Sequence, residues 1–152
     1  MSEARARPKE FTFKTSLEWS GEGPGTLKSG GKPDIEFAAP PEFKGPGGVW
    51  SPEDLQVAAV ESCILLTFLY YAGRADVELR EYSSAAEGTV EMGGDGMSFT
   101  GFTVRPRIVV ANDDQVEAAE EAIQKAEAAC LVSRSLAEDV EVNLEADVSS
   151  AD

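Results

Sequence analysis

The strongest constraint in this sequence is the run that begins at Ser51. Ser51 is a good helix N-cap, Pro52 suits the first helical position because it needs no N–H partner there, and Glu53 and Asp54 set negative charge beside the positive end of the helix dipole. Of the eighteen residues Leu55–Ala72, fourteen are apolar, interrupted only by Gln56, Glu61, Ser62 and Thr67. A helix apolar nearly all round is expected to be buried on most sides. Glu53, Asp54, Gln56 and Glu61 leave too short an uninterrupted stretch for a membrane span. Gly73 is expected to end the helix.

The rest of the chain alternates rather than cycles. Phe11, Phe13, Leu17 and Trp19 share one side of a strand whose other side is Thr12, Lys14, Ser16 and Glu18, the pattern of a half-buried strand. Gly21–Gly25 is a turn, Thr26–Ser29 starts a return strand and Asp34–Ala38 a third. Ala39–Trp50 holds three prolines and three glycines and reads as a loop. After the helix, Val77–Met92 and Met97–Ala111 form a hairpin around Gly93–Gly96, with Pro106 arguing for an edge position or a bulge. Asn112–Asp114 offers a cap for a second helix, whose Val116, Ala119, Ile123, Ala126 and Cys130 make one core-facing stripe. Val140, Val142, Leu144, Ala146 and Val148 alternate through a last strand. The expected fold is α+β, βββ-α-ββ-α-β with antiparallel sheet and a long buried central helix.

At 152 residues the length is that of one domain, expected over residues 11–149 behind a mobile tail at residues 1–10. The segment Met1–Glu10 has no apolar core and does not read as a signal peptide. The chain carries 28 Asp+Glu against 13 Lys+Arg, a net charge of −15, and no histidine. That excludes a Ser-His-Asp triad, an imidazole base and a histidine metal site, and the sign repels phosphate backbones and anionic lipid. No nucleic acid, membrane, metal or cofactor is therefore expected as a partner. The acidity fits either a plainly solvated surface or adaptation to high salt.

Two cysteines, Cys63 and Cys130, are too few for a disulfide framework and for a zinc site without histidine. A reducing, cytoplasmic setting is expected. Cysteine is among the most buried residue types, and Cys130 continues a core stripe, so each thiol taken alone is a packing residue. Cys63 differs in following Glu61 and Ser62, a polar lapse that suggests a pocket. Phe43, Trp50, Phe68, Tyr70 and Tyr71 lie near it in sequence and are candidates to line that pocket, or to be core or interface.

The segment Ser51–Cys63 (SPEDLQVAAVESC), the second cysteine in Cys130–Leu136 (CLVSRSL), and the βββ-α-ββ-α-β order around them resemble the OsmC/Ohr family of thiol peroxidases, from about Phe11 to Val148. The resemblance implies a peroxidase for organic hydroperoxides. In it Cys63 is the peroxidatic and Cys130 the resolving cysteine, and an external dithiol restores the thiols. It also matches Glu53 to the family's acidic partner of the active-site cluster. Glu53 precedes Cys63 by ten residues, about 15 Å along a continuous helix, so the two meet only if the helix breaks or Glu53 comes from a second subunit. The resemblance implies the second, an intertwined homodimer. Without it, Glu53 simply serves the helix N-terminus.

One departure bears on activity. The family's organic peroxidases carry an arginine in the turn after the first strand, and here Glu22 stands roughly there. An acid would raise a thiol's pKa, so a cation is expected to take the arginine's place, with Lys28, Arg74 and Arg134 as candidates. The family's proline after the second cysteine is Leu131 here. Glu22 keeps a second reading open, an OsmC-like protein without peroxidase activity that binds a small apolar ligand at the dimer interface. A third reading is a structural dimer with inert buried thiols.

Overall fold

A computed structural model of the chain describes residues 7–152. Residues 1–6 of the expected tail lie outside the described residues, and residues 7–10 are exposed without regular structure. The chain divides into two compact units, Met1–Pro52 and Glu53–Asp152.

In the first unit, strands β1 (Ser16–Glu18), β2 (Gly25–Lys28) and β3 (Ile35–Phe37) form an antiparallel sheet in the order β1-β2-β3. Leu17 stands opposite Leu27, and Leu27 opposite Ile35, so the alternation in the sequence becomes one apolar row across three strands. The strand expected from Phe11 starts only at Ser16. Phe11, Phe13, Leu17 and Trp19 are exposed, Phe13 to 90%, where a half-buried strand was expected. Three short strands supply no second layer of their own to bury that row against. The loop after β3 contains a single 3-10 turn, Pro41–Phe43, and rejoins the sheet where the Ala38 N–H donates to the Trp50 carbonyl at 2.9 Å. Gly45 is obligatory in it, because a Cβ there would come within 1.6 Å of the Ala39 carbonyl oxygen.

The second unit is built on helix α1 (Pro52–Arg74), long and apolar enough, by length and composition alone, to cross a membrane. Its buried residues are Val60, Ile64, Phe68 and Ala72, one side chain per turn at i, i+4 spacing. They share a core with Phe102, Val104, Ile108 and Val110 of strand β5 (Gly96–Val110) and with Ala119, Ala122, Ile123 and Ala126 of helix α2 (Val116–Ala129). Each fully buried side chain of the Val, Ile or Phe type contributes ~1.5–3 kcal/mol. The exposed pairs of Arg105 with Glu87 and Glu145 are worth ~0.2–1 kcal/mol each, so the core and not the ion pairs holds the unit. The other faces of α1 are open in the single chain, Leu66 to 66%.

The expected hairpin is present, with β4 (Leu79–Gly93) antiparallel to β5 around a two-residue turn, Gly94–Asp95. The expected stripe of the second helix is present too. The last strand differs. It is two strands, β6 (Glu141–Leu144) and β7 (Asp147–Ser150), both parallel to β5, so the sheet is mixed at that side and not antiparallel throughout. The chain reaches them by the long crossover through α2, the connection that a parallel neighbour requires. Pro106 explains the break. It sits inside β5, neither at an edge nor in a bulge, and paired with Ser84 on β4. The Val104 and Val110 carbonyls accept from Glu145 and Ala151, so even-numbered residues of β5 face β6 and β7. The N–H that Pro106 lacks would point to the same side, and the gap between β6 and β7 falls there.

Gly88 on β4 stands opposite Phe102, whose ring stacks on Phe99 at 4.9 Å between centroids. A Cβ at Gly88 would lie 2.9 Å from Phe99 and from Val57 and 3.0 Å from Phe102. Gly88→Ala is therefore expected to destabilise the protein by ~1–3 kcal/mol through overpacking, read as a lower urea midpoint with unchanged m-value; an unshifted midpoint would show that the rings yield freely.

Candidate functional site

The two cysteines belong to one neighbourhood because helices α1 and α2 contribute to one core, of which Cys130 is a buried member and against which Cys63 packs. Cys63 follows Glu61 and Ser62 on α1 and precedes the buried Ile64, which leaves it half-buried at the margin of the core stripe. Cys130 is fully buried, at the end of the α2 stripe. The stripe accounts for its position, but not for the backbone around it. α2 stops at Ala129, Cys130 turns out of the helix with φ −59° and ψ 117°, and a one-turn helix α3 (Leu131–Arg134) begins at once. No glycine or proline marks that break in the sequence.

The break decides the chemistry of the pair. An α-helix leaves its first N–H groups without intrahelical partners, and those of Leu131 and Val132, with the Cys130 thiol, act to lower the Cys63 thiol. Thr67, one turn further along α1, completes the set, with its Oγ1 4.0 Å from the Cys63 Sγ and donating at 2.8 Å to the Cys63 carbonyl. Partial burial pushes the Cys63 thiol up, but hydrogen bonds from Cys130, the Val132 N–H, Thr67 and the Leu131 N–H favour the thiolate, and the net displacement is downward. Cys130 moves the other way. Burial raises it, the Ser133 hydroxyl and N–H oppose this only partly, and the neighbouring Cys63 sulfur raises it further. The environment thus displaces the two thiols in opposite directions, Cys63 downward and Cys130 upward.

Among the described residues the groups that lower Cys63 are neutral, and the cation expected in place of the arginine is not one of them. Arg74 donates to the Tyr70 hydroxyl at 2.8 Å with its guanidinium 5.7 Å from the ring centroid, and Arg134 ends α3 without acting on the sulfur. Lys28 pairs with Asp34 at 2.8 Å inside the first unit, where Glu22 is exposed in its turn.

Glu53 is not brought to the cysteines within one chain. It stands in the first turn of the unbroken α1, half-buried, with its Oε2 buried and without a hydrogen-bond partner among the described residues. The polar residues of the lapse before Cys63 are both hydrogen-bonded. The Ser62 hydroxyl, itself exposed, donates to the Ala58 carbonyl at 2.7 Å, while the Glu61 carboxylate accepts from Ser84 at 2.5 Å. Tyr82, beside Glu61, is pushed up to about 12 by burial and by that charge. The aromatic residues expected to line a pocket divide into different roles. Phe68 is core, packed on Tyr82 at 5.6 Å; Tyr70 and Tyr71 pair edge to face at 5.2 Å; Phe43 and Trp50 are exposed in the first unit. Among the described residues no group of three or more Cys, Asp or Glu could hold a metal ion.

Thr67 and the Leu131 and Val132 N–H groups are site features that the sequence reading passed over. The spacing of Thr67 from Cys63, one helical turn on the same face, was the available signal. Nothing comparable announced the two N–H groups.

Residues 45–145 match the family model described as OsmC-like protein. The chain is 28% identical to the uncharacterized protein YmaD of Bacillus subtilis over 141 residues, 90% of this chain and 93% of that one. Its fold is similar to that of an OsmC-like protein of unknown function from Vibrio cholerae, with TM-score 0.78 and 21% identity over 89% of this chain and 99% of that one. It is also similar to an organic hydroperoxide resistance protein OsmC from Legionella pneumophila, with TM-score 0.75 and 22% identity over 92% and 99% of the two chains.

In the native protein, iodoacetamide is expected to label Cys63 well before the buried Cys130, and Cys130→Ala to move Cys63 labelling to higher pH by removing a donor. Peptide-level mass spectrometry across a pH series checks both. Equal labelling of the two thiols would contradict the separation described.

Proposed function

This chain belongs to the OsmC-like protein family, and from that premise we propose that it is a cysteine-based peroxidase acting on organic hydroperoxides. The observation that carries the reading is a pair of thiols at one core that influence each other and are displaced in opposite directions, Cys63 downward and Cys130 upward. A thiolate is the nucleophile that peroxide reduction needs, and a protonated thiol beside it is the group that a sulfenic acid condenses with.

In the proposed cycle the Cys63 sulfur attacks the terminal oxygen of the hydroperoxide. The O–O bond breaks, the alkoxide takes a proton and leaves as the alcohol, and Cys63 becomes a sulfenic acid, two electrons having passed from sulfur to peroxide. The Cys130 sulfur then attacks that sulfenic acid, its proton departs with the hydroxyl as water, and a Cys63–Cys130 disulfide remains. An external dithiol reduces it by exchange, one of its thiolates attacking the disulfide and its second thiol releasing the mixed intermediate. No metal or cofactor enters the cycle.

Glu53 acts in this reading from the second subunit of a homodimer. Two features support it: a buried carboxylate oxygen with no donor among the described residues, and an α1 whose Leu66, Leu69 and Tyr70 lie open in the single chain. Buried carboxylate oxygens are costly without donors, and apolar helix faces are costly in water, so a partner that covers both is favoured.

Cumene hydroperoxide consumption with a dithiol is expected to disappear in Cys63→Ser. Cys130→Ser is expected to keep one turnover and accumulate a Cys63 sulfenic acid that a dimedone probe traps. Undiminished turnover by Cys63→Ser would end the proposal, and a wild-type protein that never yields the trapped adduct or the disulfide would favour the ligand-binding alternative. For the subunit assignment, mixing Glu53→Gln chains with Cys63→Ser chains is expected to restore part of the activity each lacks, since one of the two sites in such a heterodimer combines an intact Cys63 with an intact Glu53. Absence of that complementation would overturn the assignment of Glu53 to the second subunit.

A further inference from the structure

The Thr67 hydroxyl has one proton and two claims on it. It donates to the Cys63 carbonyl at 2.8 Å, and its oxygen lies 4.0 Å from the Cys63 sulfur, close enough for the thiol to donate to it. The carbonyl does not need that proton, because within α1 the Thr67 backbone N–H already supplies the helical i to i+4 bond. We propose that Thr67 is a positioning residue whose hydroxyl proton turns from the Cys63 carbonyl to the Cys63 sulfur when the thiol loses its proton to solvent. In the thiol state Cys63 donates to the Thr67 oxygen, which spends its proton on the carbonyl. In the thiolate state the same hydroxyl, rotated about its C–O bond with a small adjustment of χ1, becomes a donor to sulfur. The other groups acting on that sulfur are the Cys130 thiol and the N–H groups of Leu131 and Val132 from the α2–α3 junction, and among the described residues none carries a charge. The two N–H donors are fixed by the backbone, so Thr67 and Cys130 are the two that can respond to ionisation.

The inference builds on the reading of Cys63 as a nucleophile, but its test does not need peroxide turnover. The full-length protein is alkylated with iodoacetamide across a pH series, and Cys63 modification is followed by peptide-resolved mass spectrometry. Thr67→Val keeps the shape and removes the hydroxyl; Thr67→Ser keeps the hydroxyl and removes the methyl; Thr67→Ala removes both. The midpoint for Cys63 labelling is expected to rise by about half a pH unit or more in Thr67→Val and in Thr67→Ala, a roughly threefold loss of thiolate at a fixed pH below it. Thr67→Ser is expected to titrate as the parent does. A wild-type midpoint in both hydroxyl-free variants, or an equal rise in all three, would overturn the assignment, the second outcome pointing to packing alone. A protein that labels as expected yet consumes no peroxide would retain Thr67 in this role and remove only the peroxidase reading.

Discussion

The second unit depends on one packing contact, the α1 stripe of Val60, Ile64, Phe68 and Ala72 against the inner face of β5 and the small side chains of α2. Ala119, Ala122, Ile123 and Ala126 are the residues that α2 buries in that core. That contact is also what makes a site. It fixes the axial register of α1 against α2, and with it the position of Cys63 opposite the end of the second stripe. A one-turn slip of either helix, about 5.4 Å, would separate the sulfurs while leaving both helices apolar on the same faces. The chemistry is therefore set by core packing as much as by the residues that perform it.

Charge could have been the obstacle. An acidic chain of net charge −15 without histidine offers a thiolate little long-range help, and the turn at Glu22 adds none. Short-range hydrogen bonds do the work instead. A donor within contact distance acts through a low local dielectric, whereas surface carboxylates are screened by water and salt. Two backbone N–H groups released by the α2–α3 break, one hydroxyl and one thiol thus favour the thiolate over the burial that opposes it. This arrangement is insensitive to the overall charge of the surface, which leaves the acidic exterior free to serve solubility.

Much of the architecture was legible in the sequence, because it followed from periodicity and punctuation. The S-P-E-D start placed α1, the 3.6-residue spacing from Val116 to Cys130 placed the buried face of α2, and the glycines at 93–96 placed the hairpin. The misreadings share a cause. Alternation at Phe11–Trp19 announces which side of a strand is apolar but not whether anything covers it, and the first unit covers it poorly. Pro106 announces a missing N–H, but not which neighbour would have received it, and the strand pairing absorbed the loss by dividing β6 from β7.

By itself, then, the sequence determined the two long helices and the hairpin between them, the buried face of α2, the exclusion of histidine chemistry and the two thiols that remained. These are properties of residue identity and spacing, which a chain carries before it folds. Tertiary structure alone decided that the two thiols share one core, that α2 ends at Ala129 and that the N–H groups of Leu131 and Val132 act on Cys63. Residues 63 and 130 are far apart along the chain, and a helix break without glycine or proline leaves no local mark. Only the packing of α1 on α2 brings the first into being, and only the geometry at Cys130 makes the second useful.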